Sequence, residues 1–216
     1  IGSSPDCDVV IASEYVSSLH GLLERRGQRI RVHDQASRNG IFLRGRREST
    51  FDIGPGDTFM VASRTLLALN DDMQVVRPVL AQVLGYDLHA AVDDALIASI
   101  QDGPLLVVGP KGAGHLRVVQ AVHEASRRRR QTVVEIPALP PTREEQKQIV
   151  TSACRGTLAL WTAGAPIDEA FLDMALSSSF RVRLMILAPS VESVIESLKS
   201  RASTRMDRIE IRPVRE

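Results

Sequence analysis

The sequence has few of the residues that cross-link small secreted domains or stack on nucleic-acid bases. Its 216 residues include two cysteines, Cys7 and Cys154, and only 4% aromatic residues. Two distant cysteines form neither a disulfide framework nor a metal cluster, which favours a reducing cytoplasmic location and predicts no metal site. We expect both cysteines to be ordinary core residues. The low aromatic content argues against a platform that stacks single-stranded bases.

The sequence also lacks an excess of one charge and a long hydrophobic run. Its 27 Lys and Arg residues balance 26 Asp and Glu residues, for a formal net charge of +1. Such a balance gives no overall field toward nucleic acid, so we expect no DNA contact. No apolar run approaches the ~20 residues that cross a bilayer, so we expect no membrane contact. The chain opens at Ile1 without methionine or signal peptide, and we expect that an N-terminal piece precedes it.

The apolar pattern divides the chain into two domains. Residues 1–71 have the short strands and frequent turns of a β-sandwich. Residues 72–87 are predicted to be a linker. Residues 88–216 alternate strand and helix patterns, which predicts an α/β three-layer domain with a largely parallel sheet. Its apolar run Leu105–Val108 is continuous, as expected of a strand buried on both faces.

Each domain has predicted elements of its own. The predicted strands of the first domain are 8–11, 19–24, 29–33, 58–61 and 64–69. The predicted strands of the second domain are 105–108, 132–136, 157–160, 183–187 and 208–211. Its predicted helices lie within 79–100, after Gly114, from the capping box at Thr142, at 167–176 and at 191–199.

Five ordered segments of the first domain carry a family resemblance. They are Ile1-Gly2-Ser3, Val16-Ser17-Ser18-Leu19-His20, Val32-His33-Asp34, Ser37-Arg38-Asn39-Gly40 and Gly56-Asp57. In order and spacing they resemble the forkhead-associated (FHA) family over nearly all of residues 1–70. The resemblance implies a β-sandwich whose loops at one end bind phosphothreonine peptides. It also implies that the first strands of the domain precede Gly2.

The resemblance assigns roles in a peptide-binding site. Ser17 would donate its hydroxyl to the phosphate, Asn39 would bond the main chain of the peptide, and Gly40 would allow the tight loop. The family has arginine at the position of Ser3 and often a basic or amide residue at that of Ser18. Each hydrogen bond to a charged group contributes about 1.5–3 kcal/mol, so the missing arginine weakens phosphate binding.

Two interpretations of these loops stay open. Arg38 either replaces the missing arginine from the neighbouring loop or is a solvated loop tip. The domain accordingly binds a phosphothreonine peptide or recognises a protein partner without phosphate. The predicted binding residues are Ser3, Ser17, Ser18, Arg38, Asn39 and Gly40. His20 is expected to brace the loops from inside.

The second domain contains the frame of a phosphate-binding loop. Residues 109–116 follow the pattern G-x-x-x-x-G-K-[ST] at Gly109 and Gly114, between a buried strand and a helix. His115 stands where the lysine belongs, and Leu116 stands where a Mg²⁺-binding hydroxyl belongs. Together with residues 122–127, 180–184 and 209–216, this frame resembles the AAA+ domains of sigma-54-dependent activators.

The parts of that family that perform ATP hydrolysis are missing. The run Gly156–Leu160 leads into Trp161-Thr162, where the family has an Asp-Glu pair that organises Mg²⁺ and activates water. The segment 137–153 is too short to hold the family's loop that contacts the sigma factor, and we expect the helical lid to begin where the given sequence stops. We therefore predict a pseudo-ATPase without catalytic residues. Its vestigial nucleotide-binding residues are Gly109, Lys111, Gly112, Gly114, His115, Trp161 and Thr162.

The expected function is that of a non-catalytic bacterial signalling or transcription-regulatory adaptor. We expect a protein partner and no cofactor. Weak binding of ATP or another anion at the helix N-terminus stays open, as does the alternative that the loop is only a turn. Homo-oligomer formation also stays open. The rival functions are an active sigma-54-type ATPase with an unusual nucleotide site and a DNA-binding regulator that uses Arg127–Arg130. Such a basic run at a helix end is usually solvated.

Overall fold

A computed structural model describes residues 1–86, 89–163, 167–192, 194 and 206–211. The chain forms two compact units, which divide between Asp71 and Asp72. The predicted fold class is confirmed, because the first unit is a β-sandwich and the second contains a parallel sheet with helices.

The first unit consists of two antiparallel sheets that enclose one apolar core. Its strands are β1 Gly21–Arg26, β2 Arg29–Asp34, β3 Ile41–Leu43, β4 Arg46–Arg47, β5 Thr50–Ile53, β6 Thr58–Val61 and β7 Arg64–Leu67. One sheet has the order β1-β2-β5 and the other β4-β3-β6-β7. Side chains on alternate strand positions, such as Val32, Ile53 and Val61, are fully buried between them.

The sequence prediction for this unit was partly wrong. Residues 8–11 form no named strand, and only an isolated bridge joins Gly2 to Val10. Strands β3, β4 and β5 were not predicted, because runs of two to four residues are too short to show alternation. The predicted strands 19–24 and 29–33 correspond to β1 and β2, which form a hairpin around Gly27 with Arg26 opposite Arg29.

The second unit surrounds a five-stranded sheet in the order β12-β8-β11-β10-β9, with all neighbours parallel. Its strands are β8 Leu105–Val108, β9 Val133–Ile136, β10 Thr157–Trp161, β11 Arg183–Ala188 and β12 Asp207–Glu210. Its helices are α1 Asp71–Leu84, α2 His89–Gln101, α3 His115–Glu124, α4 Arg143–Ser152 and α5 Glu169–Ala175. All residues of β8 and β11 are buried, which agrees with the continuous apolar sequences of β8 and of residues 184–188 in β11.

Residues 72–87 do not form the predicted linker. Helix α1 occupies nearly all of this segment and buries Met73, Val76, Leu80 and Leu84. A linker was predicted because Pro78 is unfavourable inside a helix, where proline removes a backbone hydrogen bond. Pro78 lies on the exposed side of α1, so water can bond the carbonyl left without a partner.

The arginine run 127–130 is only partly solvated. Arg128 makes a two-pronged ion pair with Asp102, at 2.5 and 2.9 Å. Arg129 pairs with Asp72 at 2.5 Å. Two of the four guanidinium groups therefore pair with carboxylates, and Arg128 is the one residue of the run that is not exposed.

Cys154 is exposed and Cys7 half-buried, so the prediction that both lie in cores was wrong. Among the described residues, no helix is long and apolar enough to cross a membrane. The helix predicted at 191–199 falls largely outside the described residues.

Candidate functional sites

Three loops meet at one end of the sandwich. The amide of Ser3 donates to the carbonyl of Ser17 at 3.0 Å. The amide of Arg38 donates to Ser17 Oγ at 3.2 Å, and Asn39 Nδ2 donates to the carbonyl of Tyr15 at 2.7 Å. The structure thus brings Ser3, Ser17, Arg38 and Asn39 together from separate parts of the sequence.

A buried histidine holds these loops in place. The amide of Ser17 donates to His20 Nδ1 at 3.0 Å, so Nδ1 carries no proton and Nε2 carries it. His20 Nε2 then donates to the carbonyl of Gly40 at 3.1 Å. His20 is fully buried, and its bracing role agrees with the expectation from the sequence.

The Ser17 hydroxyl is available to a ligand. Because Ser17 Oγ accepts from the Arg38 amide, its own proton remains to donate elsewhere. Ser17 is half-buried and Arg38 is exposed. Ser18 is exposed, and its carbonyl accepts from the Ser4 amide and Cys7 Sγ, which fixes the first loop beside Ser17.

Sequence reasoning missed Arg47. Its guanidinium donates to the carbonyl of Ser37 at 2.9 Å and lies 3.9 Å from Asp34 Oδ2. Arg47 also packs against Gly40, where any larger side chain would collide with it. No motif marks Arg47, because only the pairing of β3 with β4 carries it back to the loop.

The second candidate site is the glycine loop between β8 and α3. Gly112 and Gly114 adopt the left-handed conformation, with φ of 86° and 96°. Gly114 forms the N-terminal cap of α3, and Val83 of α1 packs against it. Gly109 is buried against the backbone of Ile211, which excludes any side chain there. The predicted loop therefore has its glycines at the expected positions, and the local backbone conformation or a close contact explains each glycine.

His115 is enclosed where the motif has a lysine. It is only 5% exposed, and its Nε2 has no hydrogen-bond partner among the described residues. Its ring meets that of Trp161 edge to face, with centroids 4.8 Å apart. Burial lowers the pKa of His115, so the ring is neutral near pH 7.

A pocket of about 700 Å³ lies at the carboxyl ends of the strands, where open α/β sheets usually bind ligands. Five of the seven predicted residues line it, namely Lys111, Gly112, Gly114, His115 and Trp161. Gly109 and Thr162 do not line it. Thr162 is buried, with its amide bonded to the carbonyl of Leu187 at 3.0 Å.

Sequence reasoning also missed other residues of this pocket. Glu135 adds a carboxylate to the pocket and Arg117 adds a guanidinium. Ile136 and Leu187 add apolar surface. Their positions follow from the strand order and from the first turn of α3, and no residue motif indicates them. Among the described residues, no group of three or more His, Cys, Asp or Glu side chains could hold a metal ion.

A family model and several solved structures are similar to parts of the chain. Residues 1–62 match the model of the FHA domain family, so the chain carries an FHA domain at its N-terminus. Solved structures similar to this part include the FHA domain of the CT664 protein from Chlamydia trachomatis. That match has 21% identity and a TM-score of 0.31, and covers 32% of this chain and 72% of the other. Mycobacterium tuberculosis EmbR, solved with a low-affinity phosphopeptide, has 23% identity and a TM-score of 0.29, with coverage of 32% and 19%.

A larger part of the chain is similar to P-loop NTPase domains of sigma-54 activators. The P-loop NTPase domain of a sigma-54 transport activator from E. coli has 16% identity and a TM-score of 0.43. That match covers 60% of this chain and 97% of the other. NtrX from Brucella abortus, solved with ATP, has 16% identity and a TM-score of 0.39, with coverage of 67% and 36%. No curated protein sequence matches the chain significantly.

Proposed function

We propose that the protein is a non-catalytic signalling adaptor. Its FHA domain recognises a protein partner through the loops around Ser17 and Asn39. Its α/β unit is a pseudo-ATPase that serves as a scaffold or an assembly surface. The observation that carries the proposal is the ring contact between buried His115 and half-buried Trp161, where an ATPase needs an ammonium and a carboxylate.

The chemistry of phosphoryl transfer supports the pseudo-ATPase. That reaction depends almost entirely on positioning and on neutralising phosphate charge. A neutral His115 supplies no charge, and the Trp161 indole cannot bind Mg²⁺ or activate water. Lys111 is exposed on the loop, and a flexible ammonium there does not replace a lysine held at the start of α3.

ATP turnover by the purified full chain tests this part of the proposal. We expect no Mg²⁺-dependent phosphate release above that of a Lys111→Ala, His115→Ala double variant. Turnover that is lost on Lys111→Ala alone would favour the rival function, an ATPase with an unusual nucleotide site.

The hydrogen bonds of the FHA loops support the recognition function. They leave the Ser17 hydroxyl proton and part of the Asn39 amide group available to a peptide. Partner capture from the source cell, followed by measured binding of the captured protein, tests this role. We expect Ser17→Ala and Asn39→Ala each to weaken binding at least ~10-fold, from the loss of bonds to charged or main-chain groups. Thr65→Ala on the exposed part of β7 is the matched control, and equal binding by all four proteins would contradict the proposal.

A further inference from the structure

The FHA loops are divided by charge. Residues 1–20 contain three carboxylates and no Lys or Arg. Residues 35–47 contain four arginines and no Asp or Glu. We call Asp6, Asp8 and Glu14 the acidic rim, and Arg38 and Arg47 the basic rim. The charged residues of both rims are exposed.

Hydrogen bonds bring both rims to the same site. The acidic rim belongs to the two loops that the backbone bonds of Ser3 and Ser4 to Ser17 and Ser18 hold together. The basic rim is fixed by the bonds from the Arg38 amide to Ser17 and from Arg47 to the Ser37 carbonyl. Ser17 therefore lies at the boundary between them.

This arrangement determines where a phosphate can sit. A phosphate carries nearly two negative charges, so the acidic rim repels it and the basic rim attracts it. The Arg38 amide lies 3.2 Å from Ser17 Oγ, so the exposed Arg38 side chain starts within its own length of a phosphate bound at that atom. Asp34 neutralises Arg47 only in part, since the pair is 3.9 Å apart and the Arg47 side chain is 55% exposed.

We propose that the domain binds phosphothreonine peptides of split charge. The phosphate and an acidic flank lie against Arg38 and Arg47, and a basic flank lies against Asp6, Asp8 and Glu14. The inference rests on the proposed recognition function, and it adds the charge pattern on the two sides of the phosphothreonine. Charge complementarity of this kind selects partners and raises association rates.

Synthetic peptides test the proposal directly. One set carries Glu residues before the phosphothreonine and Lys residues after it, a second set reverses the order, and a third has neutral flanks. Binding to the full chain is measured by fluorescence anisotropy at low and high ionic strength. We expect the peptides with one order of charge to bind ~10-fold more tightly than the peptides with neutral flanks. Each of several rim charges should contribute a factor of about 2 to 5 to this affinity. This advantage should shrink in high salt.

Matched variants identify the groups responsible. Arg38→Gln should weaken all phosphopeptides at least ~10-fold, because it removes a bond to the phosphate. Arg47→Gln should reduce the preference for an acidic flank over a neutral flank by about 3-fold. Asp8→Asn should reduce the preference for a basic flank by the same factor. Arg25→Gln is the control, because Arg25 lies near the far end of β1 from His20.

The outcomes separate this inference from the function on which it rests. Equal binding of neutral and charged peptides, or equal binding of both orders, would overturn it. Failure of every phosphopeptide would overturn it too. If the cellular partner were still captured through Ser17 and Asn39 in that case, the adaptor function would stand without phosphate recognition.

Discussion

At the scale of single residues, buried histidines link the stability of the α/β unit to pH. His123 Nδ1 lies 2.8 Å from Thr157 Oγ1, and Nε2 lies 3.2 Å from the carbonyl of Gln131. Burial lowers the pKa of both His123 and His115. The folded protein therefore prefers neutral rings, and the unfolded chain binds protons more readily near its ordinary pKa of ~6.5.

This difference predicts that acid destabilises the protein. The stabilisation is fully present above the unfolded pKa and is lost as the pH falls through the lower folded pKa. Urea unfolding of the full chain should therefore give a smaller unfolding free energy at about pH 5 than at about pH 7.5. His123→Gln should reduce this dependence, while exposed His89→Gln should not. An unchanged pH dependence in His123→Gln would contradict the assignment.

A second residue-scale prediction concerns Asp102. It is the carboxylate partner of Arg128, and it lies close enough to favour the charged form of Arg183. Arg183 is 1% exposed, its Nη1 has no hydrogen-bond partner among the described residues, and burial lowers its pKa to about 10. Asp102→Asn should lower the unfolding free energy by about 2 kcal/mol, because it removes the carboxylate partner of Arg128 and one of the two carboxylates that act on buried Arg183.

Asp72→Asn provides the comparison for Asp102→Asn. It removes the more exposed pair with Arg129 and should cost under ~1 kcal/mol in urea unfolding. Equal losses of unfolding free energy in the two variants would show that burial of Arg128 and Arg183 does not increase the effect of losing a carboxylate.

At the scale of elements, the glycine loop should tolerate a methyl group at one position better than at another. Gly112 faces open space, and Gly114 faces Val83 of α1. Alanine in the left-handed conformation costs about 1–2 kcal/mol at either position. Gly114→Ala should cost more than Gly112→Ala, because the Val83 side chain must also move. Urea unfolding of the two variants checks the order, and the reverse order would contradict the packing of α1 on the loop.

Prediction from the sequence succeeded where one element has one strong signal. Strand β8 has the predicted bounds because its apolar run is continuous and bounded by Pro104 and Gly109. Helix α4 starts after Thr142, whose side chain accepts from the Glu145 amide as the capping box predicted. Helix α1 and Arg47 were missed. Pro78 obscured the periodicity of the helix, and a strand pairing with no motif of its own brings Arg47 to the loop.

The candidate sites show the same limit. The order of FHA segments predicted which loops meet, and the glycine frame predicted the turn before α3. The sequence could not indicate that Thr162 is buried, because this depends on how β10 and β11 align in register. It could not indicate the ring contact of His115 with Trp161 either, because this depends on where α3 begins relative to the end of β10.

At the scale of the whole molecule, α1 belongs to the α/β unit rather than to a linker. Its four largest buried side chains each contribute about 1.5–3 kcal/mol, which together approach the total stability of an ordinary domain. A fragment of residues 72–216 should therefore unfold cooperatively, and a fragment of residues 88–216 should not. Circular dichroism during urea unfolding distinguishes them. A cooperative transition in the shorter fragment would contradict this assignment of α1.

The proposed adaptor function requires that the pocket beside His115 and Trp161 does not hold a magnesium-bound triphosphate. Isothermal titration calorimetry of the full chain with Mg²⁺ and ATP measures this property directly. We predict no saturable binding in the micromolar range, with heats equal to those of the Lys111→Ala variant. Micromolar binding that requires Mg²⁺ and disappears in Lys111→Ala would contradict the account.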